Sequence, residues 1–257
     1  MIEITNHGRV RLITLERPEA KNAMNEAMWD GLTEALIDAA RSPTTAAVVM
    51  TGSGDSFCAG QDVIEMAMAT RGEMARGTHG FKGACDQLVA FPKPFLLAVN
   101  GLAVGFGATV IGHADLVFMS TRARLKCPFT SLGVAPELAS SHTFPQLIGR
   151  QRAMWALLSS EWLSAQECHD MGLVFKLCEP PTLLDETMRH ARVLAEKPIS
   201  SLVASKRVVL EASRDAIAAA RAREDAAFAV LLGAPANVEA MQAFAEKRKP
   251  DFSAVND

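Results

Sequence analysis

Residues 95–107 read FLLAVNGLAVGFG. An apolar run, Phe95–Val99, stops at Asn100-Gly101, a pair that favours a turn. Gly105-Phe106-Gly107 follows and is expected to open an apolar helix over about residues 108–113. Residues 116–119, Leu-Val-Phe-Met, read as the next short buried strand. The same order occurs upstream. Residues 46–51 form an apolar strand pattern closed by Gly52-Ser53-Gly54, and Phe57-Cys58-Ala59-Gly60-Gln61-Asp62 comes next. Short buried strands alternating with helices specify an α/β fold.

Working outward, residues 10–15 have strand character and end at Arg17-Pro18. Asn25 fits a helix N-cap, with Glu26 in the first turn and apolar residues at helical spacing through Ala40. Residues 66–80 carry Gly, Met and Arg with poor periodicity and read as an irregular loop. Residues 81–91 regain helical spacing. From Leu183 onward the pattern is mostly helical, broken at Pro198 and at Gly233-Ala234-Pro235. Residues 215–232 are Ala-rich with a wide apolar face, suited to burial against the body or a neighbouring subunit. The expected division is a core over 1–182 and a helical region over 183–257.

The 257 residues are 49% hydrophobic and 21% charged, with a net charge of -3. That balance gives no reason to expect nucleic acid or an anionic membrane as partner. No apolar run is long enough to span a bilayer. The N-terminus shows no long apolar stretch, so a cytoplasmic protein is expected. Five cysteines, Cys58, Cys85, Cys127, Cys168 and Cys178, include no CxxC pair and read as free thiols, with no metal site expected. The chain has no Tyr, which excludes a phenolic mechanism.

The two glycine turns are the first chemical signal. A turn between strand and helix leaves backbone N–H groups without intrahelical partners, at the positive end of the helix dipole. Two such turns facing one pocket would hold a developing oxyanion. Each alone is an ordinary structural turn. The Gly105-Phe106-Gly107 sequence is neither a dinucleotide fingerprint nor a phosphate loop, since the further glycine and the Gly-Lys-Ser/Thr are lacking.

Four stretches together identify a resemblance: residues 17–25 (RPEAKNAMN), 57–62 (FCAGQD), 99–105 (VNGLAVG) and 244–250 (FAEKRKP). At these separations the chain resembles the crotonase superfamily of enoyl-CoA hydratases and isomerases, nearly end to end. The resemblance implies a spiral of ββα units with a helical C-terminal trimerisation region, assembling as a homotrimer or hexamer. It implies an acyl-CoA ligand as substrate and no separate cofactor. By family position the oxyanion donors would be the backbone N–H groups of Gln61 and Phe106. Lys21 and Lys247 would meet CoA phosphates, and Ala23 and Ala59 would offer backbone to the adenine. Met66, Met68 and Met74 are read either as lining an acyl pocket, with Phe129 and Leu132, or as loose packing in an irregular stretch.

Hydration of a 2-enoyl thioester uses two carboxylates, and at the family's two positions this chain has Thr109 and Phe129. Neither titrates. Glu137, in the stretch GVAPELASSH at 133–142, is the remaining acid. It resembles the single glutamate of the Δ3,Δ2-enoyl-CoA isomerases, which sits in this loop after Pro. One base suffices to move a proton from C2 to C4 of a 3-enoyl thioester, and burial near Phe129, Leu132 or Phe144 would tune it. The bland alternative is an exposed loop glutamate. Other crotonase reactions (thioester hydrolysis, carbon–carbon cleavage, residual hydration) and non-catalytic acyl-CoA binding remain the rival readings. His142 is read as orienting Glu137 or as structural. Asp62 is read as a helix cap and Asp115 as structural.

Overall fold

The computed structural model describes residues 1–70, 73 and 77–255, with the side chains of 66, 67, 69, 70 and 254 outside the description. The chain begins with an antiparallel pair, β1 (Ile2–His7) and β2 (Val10–Leu15), followed by α1 (Glu26–Arg41). A repeating unit comes next. It consists of β3 (Ala47–Gly52), β4 (Ser56–Cys58) and α2 (Val63–Thr70), with α3 (Gly80–Ala90) appended. β5 (Phe95–Val99), β6 (Leu102–Val104) and α4 (Phe106–Thr109) repeat the order, and β7 (Leu116–Ser120) and β8 (Arg124–Lys126) begin it again. α5 (Ser140–Ile148) and α6 (Arg150–Leu158) follow. β9 (Leu163–Ser164), α7 (Ala165–Met171) and β10 (Lys176–Cys178) complete the strands. Four helices end the chain: α8 (Leu183–Ala195), α9 (Ile199–Glu211), α10 (Arg214–Leu231) and α11 (Pro235–Ala245).

Each unit sends its first strand to one sheet and its second to another. The large sheet runs β1-β2-β3-β5-β7-β10 and the small one β4-β6-β8-β9. Neighbours β3, β5 and β7 pair in parallel, as do β4, β6 and β8. This is the expected ββα spiral.

Alternation along the strands divides the core. Val48, Met50, Leu97 and Val99 face Trp29, Leu32 and Leu36 of α1, whereas Val49, Leu96 and Ala98 face Met188, Ala191 and Ala195 of α8. Successive side chains of a strand point to opposite faces, so a sheet covered on both sides must be apolar at every position. β3 and β5 are buried throughout.

Several details differ from the sequence reading. The expected loop over 66–80 is helical through Thr70. Met66, Ala67, Met68 and Ala69 favour helix intrinsically, and Asp62 Oδ1 caps the segment by accepting from the N–H of Ile64 (2.9 Å) and Glu65 (3.2 Å). The remainder of that loop, including Met74, lies partly outside the described residues. The helix after Gly105 begins at Phe106, two residues earlier than expected. The three-residue strands β4, β6 and β8 are too short to show a period, and β1 is largely exposed. Asn25 caps α1 as expected, its side chain accepting from Met28 N–H at 3.0 Å. All five cysteines are free and buried. No single described helix is long and apolar enough to cross a membrane.

Candidate active site

The first glycine turn is built by backbone pairing with the chain before α1. Met24 N–H donates to Gly60 C=O at 2.7 Å, and Asp62 N–H donates to Met24 C=O at 2.9 Å. The residue between these, Gln61, therefore directs its own N–H away from the bridge. It donates to no backbone or side-chain acceptor among the described residues. Gly60 has φ +89°, and a Cβ there would lie 2.9 Å from Val104 C=O. Only glycine meets both demands. Asp62 also pairs with Arg17 at 2.6 Å. Burial opposes its charge, yet the Arg17 hydrogen bond and the capping N–H groups hold its carboxyl below the ordinary range.

The second turn packs directly against the first. A Cβ on Gly107 would fall 2.4 Å from Cys58 C=O. Gly105, at φ +55°, ties its N–H to Lys126 C=O at 3.1 Å. Phe106, the first residue of α4, then has an N–H with no intrahelical partner, and none outside the helix among the described residues. One indole joins the two turns. Trp29 Nε1–H donates to Gln61 Oε1 at 2.9 Å, and its ring meets Phe106 edge to face at 4.7 Å.

Glu137 enters from the loop before α5. Its residue is half-buried, and the Thr109 hydroxyl, which itself donates to Phe106 C=O at 3.4 Å, acts on its carboxyl and lowers its pKa. Thr109 lies three residues after Phe106, a rise of about 4.5 Å along the helix. The Glu137 charge also acts on the first turn, where it adds to the burial that pushes the Cys58 thiol up to about 12. Burial raises the Glu137 pKa to about 8, with the negative charge of Glu224 acting in the same direction and the Thr109 hydroxyl opposing. The Leu138 C=O accepts from His113 Nε2 at 2.7 Å, which fixes the His113 tautomer. Burial holds His113 down to about 4, so it is neutral at physiological pH.

Three of the residues assigned to CoA come together. Ala59 N–H donates to Lys21 C=O at 3.0 Å, which places Lys21, Ala23 and Ala59 along one backbone seam. Lys21 is exposed at φ 52° and lines a polar pocket of about 430 Å³ with Arg122 and Arg124. Lys247 is exposed after α11, and no hydrogen bond or ion pair joins it to that seam among the described residues. Phe129 is buried in the main core, and Leu132 is half-buried against it. The Met66 side chain lies outside the described residues. Asp115 is structural, accepting from Phe95 N–H and Lys206 Nζ at 2.7 Å each.

Sequence reasoning missed Trp29, His113 and Glu224. Glu224 left a signal. It shares the stripe Ile217, Ala220, Glu224, Phe228 on α10, where a carboxylate on an apolar helical face marks a buried partner.

A half-buried base of raised pKa beside two unengaged N–H donors can remove a proton next to a carbonyl and hold the resulting oxyanion. A family model described as "Enoyl-CoA hydratase/isomerase" matches residues 5–255. The 1,2-epoxyphenylacetyl-CoA isomerase of Escherichia coli K12 is 32% identical over 249 residues, 95% of each chain. Enoyl-CoA delta isomerase 2 of Rattus norvegicus is 32% identical over 87% of this chain, which spans 58% of that longer protein. The crystal structure of enoyl-CoA hydratase EchA8_6 from Mycobacterium marinum is 55% identical, with a TM-score of 0.79 over 82% of this chain and 99% of that one.

Proposed function

The chain belongs to the enoyl-CoA hydratase/isomerase family, the crotonase-type acyl-CoA enzymes, and from that premise we propose that it moves the double bond of a 3-enoyl-CoA into conjugation with the thioester. The observation that carries this reading is Glu137, a carboxyl of pKa about 8 whose partner Thr109 cannot titrate. Phe129, the other position where hydration would need an acid, is apolar and buried.

In this reading the substrate's thioester oxygen lies between the N–H groups of Gln61 and Phe106. Glu137 removes a C2 proton. The electron pair moves through the diene to the thioester oxygen, where the two donors stabilise it. Glu137, now protonated, returns the proton to C4, and the double bond ends between C2 and C3. Atoms are conserved and no cofactor is needed. One oxyanion donor is worth roughly 2.7–4 kcal/mol of barrier. A base of pKa about 8 is stronger than an ordinary carboxylate, at the cost that only roughly a tenth is ionised at pH 7. Lys21, Ala23 and Ala59, with Lys247, would hold CoA, and the acyl chain would run toward Phe129, Leu132 and Met66. Exposed Val208, Val209 and Val230 on α9 and α10 support assembly into trimers through the helical C-terminal part.

The name of the 55%-identical Mycobacterium marinum protein favours a second reading, hydration with Glu137 activating water alone. The discriminating experiment supplies a medium-chain 3-enoyl-CoA, follows the absorbance of the conjugated thioester and weighs the product. Conjugation at unchanged mass, lost in Glu137→Gln with CoA binding retained, supports isomerisation. No conjugation of the 3-enoyl-CoA, or full rate in the variant, refutes it, and a 2-enoyl-CoA that then gains the mass of water favours hydration.

A further inference from the structure

Glu224 is only 5% exposed, on α10, some 85 residues from the loop it serves. Its two oxygens accept from Ala139 N–H at 2.6 Å and from Ser141 N–H at 2.8 Å. Ala139 occupies the N-cap position of α5 and has no side chain able to cap it. Glu224 therefore caps α5 from another helix, placing negative charge where the helix dipole is positive. The same bonds span a costly stretch of backbone. Leu138 (φ 55°) and Ala139 (φ 54°) are consecutive non-glycine residues in the left-handed region. That turn immediately follows Glu137, and His113 grips it from the other side through Leu138 C=O.

We propose that Glu224 is a positioning residue for the base: it holds the left-handed Leu138–Ala139 turn that aims Glu137, and brings a like charge beside it. The inference rests on the reading of Glu137 as base.

The surroundings leave Glu224 in charge of the local field. Around Glu137 lie the Thr109 hydroxyl on α4, the Cys58, Cys85 and Cys127 thiols, neutral His113, and His142 on α5. Burial raises all three thiols, so they stay protonated. Arg221, one turn before Glu224, is spent on Asp86 of α3 at 2.7 Å, and Asp225 acts on Cys85. Glu224 is the charged group acting on Glu137. A Gln at 224 has one carbonyl oxygen for two N–H groups and carries no charge. An Asp keeps the charge one methylene further back.

The test measures rate against pH with a 3-enoyl-CoA for the wild type, Glu224→Gln, Glu224→Asp and Glu137→Gln. In Glu224→Gln the acid-side inflection of kcat should fall by about one pH unit, as expected when a like charge several ångströms away is removed. Its high-pH plateau should drop roughly 10- to 100-fold through misplacement of the base, with KM little changed. Glu224→Asp should keep the wild-type inflection and lose plateau rate. A merely structural role would lower the plateau without moving the inflection down. A wild-type profile for Glu224→Gln overturns the inference. If that variant does not fold, Glu224→Asp decides: a lowered kcat plateau with unchanged KM and a wild-type melting temperature sustains the inference, and a wild-type plateau, or one lost in step with stability, overturns it. Full activity in Glu137→Gln would instead refute the assignment of the base, so the two failures are distinguishable.

Discussion

The Thr109 hydroxyl acts on the Glu137 carboxyl and lowers its pKa, from the position where the resemblance to hydratases implies an acid. The hydrogen bond that Thr109 Oγ makes in the structure, to Phe106 C=O, is long at 3.4 Å, so the hydroxyl can turn toward the carboxylate. A hydroxyl proton directed at a carboxylate favours the ionised form. Thr109 thus pulls the Glu137 pKa down, against the burial and Glu224 charge that push it up. Thr109→Val keeps the shape and removes the donor. The activity limb should then move to higher pH, by up to about one unit for a hydrogen bond worth roughly 0.5–1.5 kcal/mol. A rate–pH profile of the variant checks this; a shift to lower pH would contradict this role of the Thr109 hydroxyl.

The same carboxyl predicts a pH-dependent stability. Its pKa is raised from the ordinary 4.5 to about 8 by burial first and by Glu224 second. The native state therefore favours the protonated form. Its contribution is fully present below about 4.5 and is lost as pH rises through about 8. Glu137→Gln mimics the protonated form. It should be more stable than the wild type above pH 8, by on the order of a few kcal/mol, and close to it at pH 4–5. Paired thermal melts across that range would show the gap widening. A constant gap would place the carboxyl in water.

The contact between the glycine turns predicts a different separation of effects. Gly107→Ala puts a Cβ 2.4 Å from Cys58 C=O, so backbone must move, and the nearest backbone is Phe106 and the turn before Gln61. If these N–H groups hold the oxyanion, kcat should fall roughly 100- to 1,000-fold. Circular dichroism should remain native, because the large sheet is not involved. Retained kcat in a folded Gly107→Ala would remove Phe106 and Gln61 from the mechanism.

Much of this was legible in the chain itself, for local reasons. Strands of five or six apolar residues, the Asn25 cap and the two glycine turns are written in consecutive residues. Glu137 stood out because Thr109 and Phe129 occupy the other acidic positions of the resemblance. What was not legible depends on distance along the chain. Nothing near residue 137 announces that Glu224 caps its loop, and nothing near Gly60 announces Trp29. The short strands β4, β6 and β8 gain their identity from pairing with one another, a relation of register that three residues cannot encode alone. The helix over residues 63–70 was hidden by its irregular apolar pattern, although Asp62 was read as the cap that starts it.

Trp29 offers the last prediction, because it touches both turns. Its Nε1–H bond to Gln61 and its edge contact with Phe106 make it the shared support of the two proposed donors. Trp29→Phe preserves an aromatic ring but deletes the donor and part of the packed volume, so a loss of about 1–3 kcal/mol of stability is expected. Gln61→Ala deletes the acceptor while leaving the backbone N–H in place. If the indole acts on catalysis by anchoring Gln61, the two substitutions remove the same support, and their effects on kcat should not add. The double variant should be little worse than Trp29→Phe alone, with a coupling of about 0.5–3 kcal/mol. If Trp29 only fills the core, the kcat effects should add within about 0.3–0.5 kcal/mol. In that case Phe106 packing, not the Gln61 side chain, would be what holds the turns in place.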